Sequence, residues 1–279
     1  MSDLNNHLKN PETKGEPDPA GTMPLLDHLK ELRRRVIYSL VVFLLSFGLC
    51  YYFSAEIYKF LAEPLMQVLR EQGVSDPHLI STDLTEGFFT YIRVGMFGAL
   101  LLAFPFISIQ LWMFIAPGLY KSEKQAFFPF LVATPILFIL GGALAYYGVI
   151  PYAWRFFLSF QQGADTGVGI RLEAKISEYL SLVMKLIFAF GCCFELPVAL
   201  TLMVRVGLVS VQQLVAWRRY AYVAAFGVAA VLAPPDALTM VGLAIPLMGL
   251  YEVSILTSRM ILKKKKETEE LEEKEEILS

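Results

Sequence analysis

Three glutamates in this sequence lie where a carboxylate could bind a cationic or polar ligand. Glu31 lies in "HLKELRRRV", directly before an apolar run that begins at Val36. Glu123 lies between two later apolar runs, and Glu195 lies inside a run, in "FGCCFELPVAL". A carboxylate can accept two parallel hydrogen bonds from an arginine guanidinium. An ionisable group inside a membrane is energetically costly and therefore marks a candidate functional site.

A structural role is also open for each glutamate. Glu31 and Arg35 are four residues apart, so on a helix they can form a surface ion pair that contributes only about 0.3 kcal/mol. Glu123 has lysines on both sides and can be an ordinary solvated loop charge. Glu195 can be a carboxyl group that is neutral or paired inside a helix bundle. Residue type and spacing alone leave both interpretations standing.

The sequence predicts no enzyme, cofactor or metal site. The three histidines, His7, His28 and His78, are scattered over polar segments. The three cysteines lie in apolar runs without the spacing of metal ligands, and no glycine-rich phosphate loop is visible. No nucleic-acid-binding module is recognisable either. An enzyme would have to rely on isolated acidic residues within the membrane.

The elements that must position these glutamates are membrane helices. The 279 residues are 56% hydrophobic and only 18% charged, and the mean hydropathy is +0.52. The apolar residues form runs that are long enough to cross a bilayer. Inside a bilayer the backbone polar groups must be satisfied within a helix. We predict an all-α polytopic membrane protein, a concave bundle of six transmembrane helices over residues 36–53, 88–115, 126–150, 176–204, 220–233 and 237–256.

The distribution of lysine and arginine predicts the orientation, because cytoplasmic loops carry an excess of both. Fourteen of them fall on one side of the predicted spans: Lys30, Arg33, Arg34, Arg35, Lys121, Lys124, Arg205, Arg218, Arg219, Arg259, Lys263, Lys264, Lys265 and Lys266. Five fall on the other side: Lys59, Arg70, Arg155, Arg171 and Lys175. Both termini are therefore predicted to be cytoplasmic.

The predicted organisation consists of two tails, a transmembrane domain and a helix on the outer face. Residues 1–22 form a disordered cytoplasmic tail, and residues 23–260 form the transmembrane domain. Residues 261–279 form a charged cytoplasmic tail, whose acidic half we expect to be disordered. On the outer face, residues 54–70 have the apolar spacing of an amphipathic helix, bent at Pro64.

Five stretches together resemble one family. They are "HLKELRRR", "FLAEPL", "FPFISIQLWMFIAPGLYKSEK", "FGCCFELPVAL" and "LAPPDALTMVGLAIP". In order and spacing they resemble TatC, the multi-spanning subunit of the twin-arginine (Sec-independent) protein translocase, over residues 24–260. One position departs from the family pattern: Met240 stands where many relatives have glutamine.

The resemblance implies a set of site residues. It assigns Glu31 and Glu123 to the binding of paired arginines in a signal peptide. Neighbouring positions of that site fall on Arg33, Pro105, Phe114, Pro117, Leu119, Tyr120 and Lys121. Glu195 matches a polar group within the membrane. Pro64, Tyr146 and Asp236 match other family positions that are important for the structure or for contact with partners.

The resemblance also implies partners and an energy source. The partners are twin-arginine signal peptides of folded cargo proteins, single-span TatA- and TatB-like subunits, further copies of the chain and membrane lipid. The expected location is the bacterial cytoplasmic (inner) membrane, with export driven by the proton motive force. The alternative is a proton-coupled small-solute secondary transporter that uses Glu195 as a relay. Such transporters often contain internal repeats, and none is visible here.

Overall fold

The computed structural model describes residues 25–74, 76–115, 128–159, 174–232 and 237–278, and these are almost entirely helical. The helices, in chain order, are α1 (Leu25–Tyr52), α2 (Ser54–Glu71), α3 (Glu86–Ile115), α4 (Phe128–Ala143), α5 (Ile150–Ser159), α6 (Ile176–Phe194), α7 (Leu196–Arg205), α8 (Val211–Ala216), α9 (Arg218–Leu232) and α10 (Ala237–Leu278). A π-helical turn, Leu144–Val149, joins α4 to α5.

The predicted class, an all-α membrane protein with six transmembrane helices, is confirmed. Among the described residues, five helical stretches are long and apolar enough to cross a membrane: His28–Tyr52, Glu86–Phe114, Pro129–Ser159, Ile176–Arg205 and Thr239–Lys263. The sixth is α9, which has 15 residues. At 1.5 Å per residue it rises about 22 Å, which is less than the roughly 30 Å of a hydrocarbon core.

Two of the spans differ in detail from the prediction. The third was predicted to end at residue 150, but it continues through the π-helical turn into α5 and is helical up to Ser159. The fourth is divided into α6 and α7 at Glu195. Pro197 lies in the first turn of α7, where a proline is tolerated because its missing N–H has no partner to lose.

The predicted amphipathic helix on the loop between the first two spans is α2, and it contains Pro64. Its buried positions recur every three or four residues, which places them on the face that meets the bundle. They are Leu61, Ala62, Leu65, Val68 and Leu69.

Two glycines let α4 and α6 approach closely. A Cβ added to Gly141 would lie 2.5 Å from the carbonyl oxygen of Phe190, and one added to Gly191 would lie 2.5 Å from the Phe138 ring. Phe190 is fully buried at this contact. The close approach brings α4 against α6, whose C-terminal end carries Glu195.

The two ends of the bundle differ in charge. The basic end is defined here by Arg33, Arg34, Arg35, Arg205, Arg218, Arg219, Arg259 and Lys263. At the opposite end, Glu86 accepts hydrogen bonds from the backbone N–H groups of Thr82 (2.8 Å) and Ser177 (3.0 Å). Because Ser177 lies in the first turn of α6, this carboxylate fastens the start of α3 to the start of α6.

The prediction that the acidic half of the C-terminal tail is disordered is wrong, because this segment is helical. The backbone of α10 continues to Leu278, far beyond its apolar part. The tail is rich in Glu, Lys and Leu, which favour helices, and Lys263 pairs with Glu267 one turn later at 3.8 Å.

Candidate functional site

Glu31 lies in the first turns of α1 and forms the ion pair that its spacing predicts. Arg35 Nε donates a hydrogen bond to Glu31 Oε1 at 2.9 Å, and Arg35 Nη2 donates to the same oxygen. Only 16% of the Arg35 side chain and 15% of the Glu31 side chain are exposed. The pair is therefore much less accessible than an ordinary surface ion pair, and screening by water weakens it less.

Contacts with α3 fix this part of α1 in place. Arg35 Nη1 donates a hydrogen bond to Gln110 Oε1 at 3.2 Å. The ring of His28 stacks on the ring of Phe114, with centroids 4.2 Å apart and an angle of 14° between the planes. Together these contacts place Glu31 against the last two turns of α3, at the basic end of the bundle.

The other described residues of the predicted peptide site are placed differently. Arg33 is exposed on α1. Pro105 lies inside α3, nine residues before Phe114, which is about 13 Å along the helix axis. The structure thus brings Glu31 and Phe114 to the same place through His28, whereas Pro105 lies deeper in the span.

Several predicted site residues lie outside the described part of the chain. They are Pro117, Leu119, Tyr120, Lys121, Glu123 and Asp236. The first five belong to residues 116–127, the segment that follows α3 directly in the sequence. The expected convergence of Glu31 and Glu123 on one ligand therefore stays a prediction.

Glu195 lies at the junction of α6 and α7, in the middle of the fourth span. Both of its carboxyl oxygens are buried, and neither has a hydrogen-bond partner among the described residues. The Thr134 hydroxyl of α4 approaches the Glu195 carboxyl closely enough to interact with it, but not with the geometry of a hydrogen bond. The same hydroxyl accepts a hydrogen bond of 3.0 Å from Trp112 Nε1 on α3. Leaving a buried polar group unpaired is unfavourable, so this carboxyl can accept a donor from a ligand or partner.

Pro64 and Tyr146 form a structural pair rather than two separate positions. The Tyr146 hydroxyl donates a hydrogen bond of 2.6 Å to the carbonyl oxygen of Phe60. Pro64 lies four residues after Phe60 and has no N–H to offer that carbonyl. Close by, the Tyr179 hydroxyl donates to the carbonyl oxygen of Leu61 at 2.8 Å. Two tyrosines from the membrane spans thus hold α2 against the bundle.

Three residues of the Glu31 site, His28, Arg35 and Gln110, were not among the predicted site residues. The spacing of Arg35 correctly predicted its ion pair with Glu31, but that pair was considered only as a structural alternative to ligand binding. Gln110 was not predicted. Its amide side chain stands in an otherwise apolar run, and this could have marked it as a candidate. Its contact with Arg35 joins residues 75 positions apart, which no local pattern can reveal.

Comparison with known proteins agrees with these features. The family model described as "Sec-independent protein translocase protein (TatC)" matches residues 27–246. The TatC protein of Magnetococcus marinus is 49% identical over 250 residues, covering 90% of this chain and 89% of the relative. The TatC protein of Escherichia coli K12 is 38% identical over 250 residues, covering 89% of this chain and 93% of the relative.

A solved structure gives the same result for the fold. The crystal structure described as the twin-arginine translocase receptor TatC superimposes with a TM-score of 0.72. It is 36% identical in sequence and covers 84% of this chain and 98% of the solved one. With the six helices, the polar group inside the fourth span and the family match over most of its length, this chain belongs to the TatC family of Sec-independent protein translocase proteins, which are multi-pass proteins of the bacterial inner membrane.

Proposed function

We propose that this chain is the receptor for signal peptides with paired arginines, and the core subunit of a translocase that exports folded proteins. The observation that carries the proposal is the carboxylate of Glu31, which is mostly buried at the basic end and already binds a guanidinium at 2.9 Å. An arginine of a peptide offers the same planar donors as Arg35. The site is therefore suited to a guanidinium ligand.

The second arginine of the pair needs a second acceptor. We assign that role to Glu123, because its segment follows directly after α3, whose last turn stacks on His28 beside Glu31. The remaining residues of the proposed site are Arg33, Pro105, Phe114, Pro117, Leu119, Tyr120 and Lys121. A lysine carries the same charge as arginine but lacks its fork of donors, so a twin-lysine peptide should bind more weakly.

The proposed orientation follows from the position of this site. Signal peptides are made in the cytoplasm, so the basic end must face it. The excess of lysine and arginine at that end supports the same orientation, because cytoplasmic segments carry such an excess. Both termini are then cytoplasmic.

Glu195 has a separate proposed role. Its buried, unpaired carboxyl lies in the middle of a span, at the depth where a partner's membrane helix would pass. We assign it to contact with single-span TatA- and TatB-like subunits, with Asp236 as a further partner contact. The proton motive force would then drive transport by that assembly, in which further copies of the chain and membrane lipid are the other neighbours. Family membership favours this function over the alternative of a small-solute transporter.

A binding assay tests the receptor proposal. The full chain, reconstituted in nanodiscs, is titrated with a fluorescent twin-arginine signal peptide and with its twin-lysine counterpart. Glu31→Gln keeps the shape but removes the charge, and should weaken twin-arginine binding at least about tenfold. Glu63→Gln is the matched control, because Glu63 forms an exposed ion pair with Arg70 on α2, away from the site. Equal affinity for both peptides, or equal effects of both substitutions, would refute the receptor proposal.

A further inference from the structure

One oxygen of the Glu31 carboxylate, Oε1, is already occupied. Two N–H groups of Arg35 donate to Oε1 of Glu31, and both side chains are mostly buried. A second guanidinium cannot take the same oxygen with good geometry while Arg35 holds it, because each donor needs its own lone-pair direction. A peptide cation that takes Oε2 alone meets a carboxylate whose charge Arg35 already offsets, so it binds less well unless it displaces Arg35.

Arg35 also has a second acceptor on a different helix. Its Nη1 donates to Gln110 Oε1 of α3 at 3.2 Å, while Nε and Nη2 face Glu31. If Arg35 gives up Glu31, it can keep its contact with Gln110. The neutral amide is a weaker acceptor for a cation than a carboxylate, so this alternative is less favourable but available.

We propose that Arg35 is a built-in competitor of the peptide, which occupies Glu31 in the unliganded protein and is retained by Gln110 when a peptide arginine takes its place. This inference rests on the proposed function of Glu31 as a peptide-binding acid. Arg35 is then a regulatory residue that lowers the affinity of every ligand of Glu31, because only the fraction of molecules with a free carboxylate can bind.

Competition of this kind changes affinities by a common factor. The same contact must be broken for a twin-arginine and for a twin-lysine peptide. Arg35→Gln should therefore tighten the binding of both peptides by about three- to tenfold and leave the ratio of their dissociation constants unchanged. A residue that read the peptide directly would instead change that ratio.

Gln110 gives a prediction of opposite sign. Before displacement Arg35 contacts both Glu31 and Gln110, whereas after displacement it depends on Gln110 alone. Gln110→Leu should therefore cost the displaced state more than the starting state, and peptide binding should weaken. The effect should vanish when Arg35→Gln is also present, because the side chain that Gln110 retains is then absent. This double-mutant cycle measures the coupling between the two residues.

A substitution at a neighbouring residue serves as the control for the loss of one positive charge. Arg34 is exposed, and Arg34→Gln removes the same charge one position away. Its effect through space should be small and should disappear in 0.5 M salt, because screening shortens the range of exposed charges to a few ångströms. The effect of Arg35→Gln should persist in that salt. Arg35→Lys, which keeps the charge but not the fork, guards against a folding defect and should give an intermediate gain in affinity.

The experiment is the same nanodisc titration with twin-arginine and twin-lysine peptides, in low and high salt, on the wild type and these variants. Tighter binding by Arg35→Gln at both salt concentrations, with an unchanged peptide ratio, supports the inference. If Arg35→Gln binds no more tightly than the wild type or Arg34→Gln, while Glu31→Gln still loses binding, the competitor role is wrong and the receptor function stands. If Glu31→Gln binds like the wild type, the receptor function itself fails, whatever Arg35→Gln does.

Discussion

The hydroxyl of Tyr146 donates a hydrogen bond of 2.6 Å to the carbonyl oxygen of Phe60, the group that Pro64 leaves without a helical donor. The two rings also stack, with centroids 4.3 Å apart. Proline in a helix interior removes one backbone hydrogen bond, and the freed carbonyl needs another partner when it is buried. A residue from the π-helical turn of the third span supplies that partner to a helix of the loop between the first two spans.

The first prediction tests this relationship by a double-mutant cycle. Tyr146→Phe should lower the free energy of unfolding by about 1–3 kcal/mol, because it leaves the Phe60 carbonyl unpaired. In a Pro64→Ala background the alanine N–H can take over that carbonyl, so the same change should have a much smaller effect. Thermal unfolding in detergent measures all four proteins. Tyr152→Phe on α5, where the tyrosine is exposed, is the control and should be neutral. Equal losses in both backgrounds would contradict the coupling.

The second prediction concerns the glycines between α4 and α6. Gly141→Ala should destabilise the bundle by about 1–3 kcal/mol, because the new methyl group would meet the backbone of Phe190. Gly227→Ala in α9 is the matched control, since open space surrounds that position. Alanine favours helices over glycine, so the control should be neutral or slightly stabilising. Thermal unfolding of both variants checks the difference, and a neutral Gly141→Ala would show that the two helices are free to move apart.

The third prediction concerns Glu195 and separates transport from binding. Glu195→Ala should leave signal-peptide affinity unchanged, because the side chain lies in the fourth span and the peptide site lies on α1 at the basic end. The same change should reduce export and the recovery of single-span subunits with the protein. Peptide titration, co-purification and an export assay measure the three effects. Glu178→Ala is the control, because Glu178 is exposed at the start of the same span. Normal export by Glu195→Ala would remove the proposed role.

The fourth prediction concerns Glu86, which is 7% exposed and binds the starts of two helices. Glu86→Gln keeps the size of the side chain but weakens the charge-assisted hydrogen bonds from Thr82 and Ser177. We expect a loss of about 1–3 kcal/mol in the free energy of unfolding. Asp83→Asn is the control, because Asp83 is exposed and its contact with Lys175 is 4.0 Å long. Faster hydrogen exchange at the start of α6 in Glu86→Gln alone would locate the effect.

Much of the fold was predictable from the sequence because the bilayer imposes simple local rules. Apolar runs in lipid must be helical, so all six spans were found at nearly correct positions. The spacing of apolar residues in α2 predicted an amphipathic helix, and the spacing of Glu31 and Arg35 predicted their ion pair. Pro197 predicted a bend in the fourth span, and the structure divides this span at Glu195.

What the sequence by itself determined is therefore the number and type of the helices and the family, together with a set of candidate acidic residues whose roles stay predictions. Only the tertiary structure decided that Arg35 reaches Gln110, that Tyr146 serves the carbonyl freed by Pro64, and that Glu195 is buried without a partner among the described residues. The physical reason is range. Helix periodicity acts over three or four residues, whereas these relationships depend on how separate helices pack, and chain order does not encode the rotation or depth of one helix against another.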